Sequence, residues 1–165
     1  VLRIDSPGGS VVGSELIRDE LIQLKKNGIP IVASFSNLAA SGGYWIATPA
    51  DKIIASPYTI TGSIGVFGFL LTAEDSLSYV GIKSDGVSLQ PYTRSSTERG
   101  LDPLVIRSTQ VGVDYIYDRF LDIVASSRQM KKQDVDNVAQ GQVWMGTQAV
   151  DNGLVDYYHH VDHSD

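Results

Sequence analysis

Two periods of apolar and polar positions alternate along this chain and lay out its elements. Val1 to Ile4 is a short apolar run that reads as a buried strand, closed by the turn residues Asp5-Ser-Pro-Gly-Gly9. Val11, Val12, Leu16, Ile17, Leu21 and Leu24 then recur at helical spacing, giving a helix that starts at Ser10 or Ser14 and its apolar face. Glu15, Asp19 and Glu20 lie towards its start and Lys25 and Lys26 at its end, as the macrodipole prefers, and Asn27-Gly28 stops it. Ile29 to Phe35 reads as a second strand with Pro30 at its edge. It delivers the chain to Asn37-Leu-Ala-Ala-Ser-Gly-Gly-Tyr-Trp-Ile46, whose last residues open a buried helix running to about Ala47, before Pro49. Lys52 to Ala55 is a third strand. Strand, helix, strand, helix, strand in this rhythm predicts an α/β fold with a largely parallel sheet.

Further on, Pro57 to Phe69 carries Gly62, Gly65 and Gly68 at every third position, which points to close backbone approach rather than a strand in mid-sheet. Neither GxGxxG opening a helix nor GxxxxGK[ST] is present, so this is not a nucleotide loop. A helix is expected over 70–80, a short strand and turn over 81–87, and a polar surface loop over 88–103. A long helix follows from about Leu104 to Ser127, with Val105, Val111, Ile116, Phe120, Ile123 and Val124 on one side. A shorter amphipathic helix over 131–139, a strand and turn at Gln142-Val-Trp-Met-Gly146, a helix capped by Thr147 and a closing segment over 154–158 complete the reading. There is no internal repeat or domain break, so the expectation is one domain over 1–165.

Composition narrows the partners. A net charge of -6 argues against nucleic acid, which calls for a basic face. No apolar run approaches the roughly 18 residues of a membrane span. The absence of cysteine excludes thiolate chemistry, and no metal or cofactor is expected. His159, His160 and His163, beside Asp156, Asp162 and Asp165, read as a frayed acidic tail rather than a metal site. Asp114, Asp118 and Asp122 read as a solvated helix face, and Tyr44 and Trp45 as core or pocket wall.

The candidate chemistry centres on Ser41. Ala39, Ala40, Gly42 and Gly43 let backbone come close to its hydroxyl, and a helix N-terminus beside it favours a developing anion. That suits a nucleophile if a base and a second oxyanion donor are supplied. The other reading is a helix cap, a common place for serine.

Four segments in order carry a resemblance. Asp5-Ser-Pro-Gly-Gly9, Ala39-Ala-Ser-Gly-Gly-Tyr-Trp45, Thr61-Gly-Ser-Ile-Gly-Val66, and Ala139-Gln-Gly-Gln-Val-Trp-Met-Gly146 followed by Asn152-Gly-Leu-Val-Asp156 closely resemble the signal peptide peptidase A (protease IV) family of serine peptidases. The resemblance covers nearly the whole chain. It implies a Clp protease/crotonase-like fold of stacked ββα repeats with a mostly parallel sheet. It also implies Ser41 as nucleophile, Gly8, Gly9 and Gly42 as the oxyanion hole, Ser63 as the serine that orients the base, and Gly65 and Val66 as an edge on which substrate pairs.

The family's Ser-Lys dyad is where this sequence departs. The position of the short form's lysine falls at or near Thr93, and neither it nor Tyr92 or Arg94 serves as a base. Lys25 and Lys26 end a helix and Lys131 and Lys132 begin one, which leaves Lys52 and Lys83 as the remaining candidates. The long form has two tandem copies of the fold, with the lysine in the N-terminal copy and the serine in the C-terminal one. This chain resembles that C-terminal half, and its abrupt opening on a strand reads as a fragment of a longer protein. The resemblance further implies remnant signal peptides as substrates, a homo-oligomer, and a place at the periplasmic face of the bacterial cytoplasmic membrane. The isolated chain is expected to be inactive or nearly so. Two rivals stay open: a crotonase-like acyl-CoA enzyme, which would not need Ser41, and a non-catalytic assembly half.

Overall fold

The computed structural model describes residues 1–87, 89–90 and 95–158. The Thr93 position with its neighbours Tyr92 and Arg94, and the His159, His160 and His163 cluster, lie outside the described residues. The chain divides into two compact units, one formed by 1–66 with 117–165 and the other by 67–116.

The first unit is a sheet covered by helices. Strand β1 (Leu2–Ser6) leads through the glycine turn to helix α1 (Val11–Lys26), and Ser10 caps that helix by accepting from the Gly13 amide at 3.2 Å. Strand β2 (Val32–Ala40) starts later and runs longer than the apolar pattern implied, because the small residues up to Ala40 stay in the ladder. It feeds directly into helix α2 (Gly42–Ala47). Strands β3 (Lys52–Ala55) and β4 (Ile60–Gly62) follow. Beyond the second unit come the end of helix α4 (Pro103–Arg128), helix α5 (Lys132–Val138), strand β5 (Val143–Met145), helix α6 (Gly146–Asp151) and strand β6 (Tyr157–Tyr158).

β2 is the axis of the sheet. β1 pairs along one side of it, while β3 takes Val32–Ser34 and β4 takes Leu38–Ala40. β6 extends the sheet beyond β3, and β5 extends it beyond β4 as the antiparallel member of an otherwise parallel sheet. β4 therefore does stand in mid-sheet, between β2 and β5, contrary to the expectation for its glycine-rich stretch. Close approach is real as well: a Cβ on Gly62 would lie 2.8 Å from the Trp144 ring and 2.9 Å from the Gln142 carbonyl.

Helix α1 packs on a different face from the one its apolar spacing implied. Val12 and Leu16 are 71% and 63% exposed, whereas Ser14 and Leu21 are buried. The packed face is Ser14, Arg18, Leu21 and Lys25. Arg18 donates to the Thr48 hydroxyl at 3.0 Å, and Lys25 donates to the Pro49 carbonyl at 3.0 Å and pairs with Asp51. Thr147 is not the cap of the last helix. Met145 holds that place, its amide donating to the Gln148 side chain at 2.9 Å.

The core is held by Tyr44, Trp45, Ile53, Ile64, Phe120, Val124, Val135 and Leu154. Phe35 meets Tyr44 edge-on at 6.1 Å between ring centroids, and Trp45 meets Phe120 at 4.6 Å. The fully buried Tyr44 hydroxyl donates to the Leu154 carbonyl at 2.6 Å. Burial pushes this phenol well above its ordinary value, with the Arg128 charge acting against the shift and that of Asp156 adding to it. The unfolded chain releases the Tyr44 proton near pH 10 and the folded chain keeps it, so this stabilisation is complete below pH 10 and is lost as pH rises beyond it. Tyr44→Phe orphans the carbonyl and is expected to cost about 1 to 3 kcal/mol at neutral pH. It should also flatten the loss of stability above pH 10. Urea melts on either side of that pH test both effects.

The second unit contains helix α3 (Glu74–Tyr79) and the first half of helix α4 (Pro103–Arg128). The stretch 81–87 holds no strand. The Ala73 amide donates to the Thr97 carbonyl at 2.7 Å, and the Asp102 amide to the Ser95 hydroxyl at 2.7 Å. No large apolar side chain of this unit is buried among the described residues. Phe67, Phe69, Leu71 and Tyr79 are all well exposed.

Candidate active site

β2 ends at Ala40, and the chain turns sharply at Ser41 into α2. Ser41 has φ 52 and ψ −119, a conformation that costs an L-residue of order 1–3 kcal/mol and persists only where its surroundings impose it. Its amide donates to the Gly62 carbonyl at 2.9 Å, and its carbonyl accepts from the Trp45 amide at 2.9 Å. The hydroxyl makes no capping bond to α2. A capping serine would turn its oxygen back onto the first-turn amides; this one does not.

What imposes the turn is the glycine pair after β1. Gly8 (φ 103) lies so close that a Cβ there would be 2.6 Å from the Gly42 nitrogen, 2.7 Å from Ser41 Cβ and 2.9 Å from the Ala40 carbonyl. A Cβ on Gly42 would in turn lie 2.5 Å from Ser14 Oγ and 3.2 Å from the Gly9 nitrogen. Gly8 and Gly9 therefore sit against Ser41-Gly42 with no room for a side chain between them. The three amides differ in availability. The Gly8 N–H donates to the Ser6 hydroxyl at 3.1 Å. The Gly42 N–H opens α2 and has no carbonyl a turn behind it to bond. The Gly9 N–H has no acceptor among the described residues.

Ser63 lies beside Ser41 through the sheet. Ala40 pairs with Gly62 in the β2–β4 ladder and the Ser41 amide donates to the Gly62 carbonyl at 2.9 Å, so Ser41 and Ser63 are the residues that follow paired positions at the ends of these two parallel strands. Ser63 also has positive φ (48), and its amide donates to the Gln142 carbonyl at 2.7 Å. Ile64 is buried, with its carbonyl bonded to the Gly141 amide at 3.0 Å. One flank of Ser63–Val66 is thus taken by the 140–142 turn. On the other flank β2 has already turned away into α2, and the Gly65 and Val66 amides have no partner among the described residues.

The lysines of this unit lie elsewhere. Lys52 pairs in register with Val32, eight residues (40 − 32) before Ala40, and at about 3.3 Å per residue this is on the order of 25 Å from Ser41. There it pairs with Asp156 at 3.2 Å. Lys25 is held at the far end of α1 by Asp51, and Lys132 by Asp118 and Asp122. The sequence had read those two aspartates only as a solvated face. Lys83 belongs to the 67–116 unit, where it lines a pocket with Glu74 and Glu98.

Behind the serine turn, Glu15 accepts from the Trp45 indole at 2.6 Å and pairs with Arg18 and Arg119. Burial acts to raise its carboxyl, but the Trp45 bond and the two guanidiniums outweigh that and hold it below the ordinary range. This support for α2 was not read from the sequence, where Glu15 served only the helix dipole.

The sequence matches peptidase family S49 over residues 23–164. This chain belongs to that family. Its relatives include Protease 4 of Salmonella typhi, 51% identical over 156 residues that make up 94% of this chain and 25% of that protein. Protease 4 of Haemophilus influenzae is 48% identical over the same shares. A putative signal peptide peptidase SppA of Enterococcus faecium is 39% identical, over 94% of this chain and 46% of that protein. The chain spans a quarter to a half of the length of these relatives. Among solved structures, a ClpP1 point mutant from Listeria monocytogenes matches 97% of this chain and 72% of its own, with a TM-score of 0.64 at 14% identity. The expected Clp protease-like α/β fold with a mostly parallel sheet is the one observed.

Proposed function

We propose that this chain is the nucleophile-bearing half of a serine peptidase that cleaves extended apolar peptides, remnant signal peptides among them, with a lysine supplied by the N-terminal half of the same protein. The observation that carries this reading is Ser41, strained, uncapped and seated against two available amides. In the reaction the lysine amine, neutral through desolvation, takes the Ser41 proton as Oγ attacks the peptide carbonyl. The Gly9 and Gly42 amides receive the oxyanion, each donor contributing roughly 3 to 4 kcal/mol. The lysine returns its proton to the leaving amine, and water then releases the acyl group by the same route. Ser63 orients the lysine from the neighbouring strand. Substrate lies along the uncovered flank of Ser63–Val66, pairing with the Gly65 and Val66 amides as an added strand.

Membership in peptidase family S49 favours this over acyl-CoA chemistry on the same framework. The rest of a protein the length of Protease 4 leaves ample chain to supply the lysine. The exposed Phe67, Phe69, Leu71 and Tyr79 favour assembly into a homo-oligomer, which the proposal places at the periplasmic face of the bacterial cytoplasmic membrane.

A fluorophosphonate probe on the full-length protein tests the reading. Ser41 should be labelled there, while the isolated 165 residues should label at least a hundredfold more slowly. No labelling of the full-length protein sinks the peptidase reading. Thioester activity that survives Ser41→Ala would favour the acyl-CoA alternative, and no activity of any kind an assembly half. Peptide hydrolysis by the isolated chain, abolished by Ser41→Ala, would place the base within these 165 residues and overturn the reading of a lysine supplied from outside them.

A further inference from the structure

Tyr117, in the second half of α4, belongs to none of the motifs that carry the family resemblance. Its hydroxyl nevertheless sits between two partners. It donates to Asp136 Oδ1 of α5 at 2.5 Å and accepts the Gln140 amide at 3.1 Å. Gln140 has φ 55, a conformation that glycine and asparagine tolerate better than glutamine, so its amide is held in place against the local preference of the backbone. The next two residues grip the site. The Gly141 amide donates to the Ile64 carbonyl, and the Gln142 carbonyl accepts the Ser63 amide. Gly65 is pressed so close that a Cβ there would be 2.9 Å from the Gly141 nitrogen. One side of the 140–142 turn is thus anchored by a phenol and a carboxylate, and the other carries Ser63, Ile64 and Gly65.

We infer that Tyr117 is a positioning residue: with Asp136 it fixes the 140–142 turn, and through that turn the height of the Ser63–Val66 edge beside Ser41. The inference rests on the reading of that edge as the substrate-pairing strand. Other bonds hold the far end of the turn. The Trp144 indole donates to the Val138 carbonyl at 2.9 Å, and the Gln142 amide to the Ala139 carbonyl at 3.0 Å. Loss of the phenol therefore releases Gln140 and its neighbours without undoing β5. Burial and the Asp136 hydrogen bond push the Tyr117 hydroxyl up to about 12, so it remains a donor across the working range of pH.

The test compares Tyr117→Phe with the unaltered full-length protein on two substrates, an octapeptide long enough to pair along Ser63–Val66 and a small ester that reaches only Ser41. The octapeptide should lose about ten- to a hundredfold in kcat/KM, mostly through KM, while the ester changes less than about twofold. Adding Gln140→Asn, which favours positive φ, should restore part of the loss. Equal losses on both substrates, or none on either, overturn the inference. Hydrogen exchange supplies a readout independent of activity: the Ser63 and Gly141 amides should exchange faster in Tyr117→Phe. Unchanged protection overturns the coupling even in an active protein. Faster exchange in a protein that hydrolyses neither substrate and leaves Ser41 unlabelled would instead fault the peptidase reading, while retaining the mechanical link.

Discussion

Replacing Ser41 with alanine in the full-length protein is expected to lower kcat for peptide hydrolysis by about 10⁴-fold or more, with the fold intact. The size follows from the role, since without Oγ no acyl-enzyme forms and only the oxyanion donors and substrate binding remain. The intact fold follows from the geometry. Ser41 is fixed by its backbone, through the Gly62 carbonyl, the Trp45 amide and the wall of Gly8, and its hydroxyl makes no capping bond. Were Ser41 a cap after all, the variant would lose about 1 kcal/mol of stability and keep its activity. Steady-state kinetics and a urea melt on the same preparation separate the two outcomes.

Gly8→Ala should damage both properties at once. The new Cβ meets the Gly42 nitrogen, Ser41 Cβ and the Ala40 carbonyl at 2.6 to 2.9 Å, and none of these is the free end of a flexible side chain. The backbone at φ 103 is also one that alanine avoids. Overpacking and strain together are expected to cost about 3 kcal/mol. The shift of Gly42 and Gly9 away from the oxyanion should lower kcat by about 10²–10³. Gly9→Ala is the control. Nothing lies within 4 Å of its Cβ, so strain at φ 138 acts alone and the loss of stability should be the smaller. Equal urea midpoints for the two variants would overturn the claim that Gly8 is the wall of the site.

Much of the framework was legible along the chain because it follows from local chemistry. Lys52 to Ala55, the stop at Asn27-Gly28 and the helix after Ser41 all came out where turn residues and apolar runs put them. Period misled where packing is polar or backbone-to-backbone. The packed face of α1 is Ser14, Arg18, Leu21 and Lys25, with Arg18 and Lys25 bonded to Thr48 and Pro49 just past α2, contacts that leave no apolar period, while Val12 and Leu16 face outwards. β4 reads as close backbone approach rather than a mid-sheet strand because its glycine and threonine serve close contact with Trp144 and the Ala39 carbonyl rather than bulk.

The site divides in the same way. Ser41, with small residues around it, was a candidate nucleophile from the sequence alone, because only such residues let backbone amides crowd a hydroxyl. The capping alternative could not be discarded there, since a cap and a nucleophile occupy the same place in the chain and differ only in φ, ψ and the direction of one oxygen. The tertiary structure decided that Ser41 is uncapped, that Gly8 spends its amide on Ser6 while Gly9 and Gly42 keep theirs available, and that Lys52 stands at the wrong end of β2. Each of these depends on register and approach between segments distant in sequence, which no local pattern encodes.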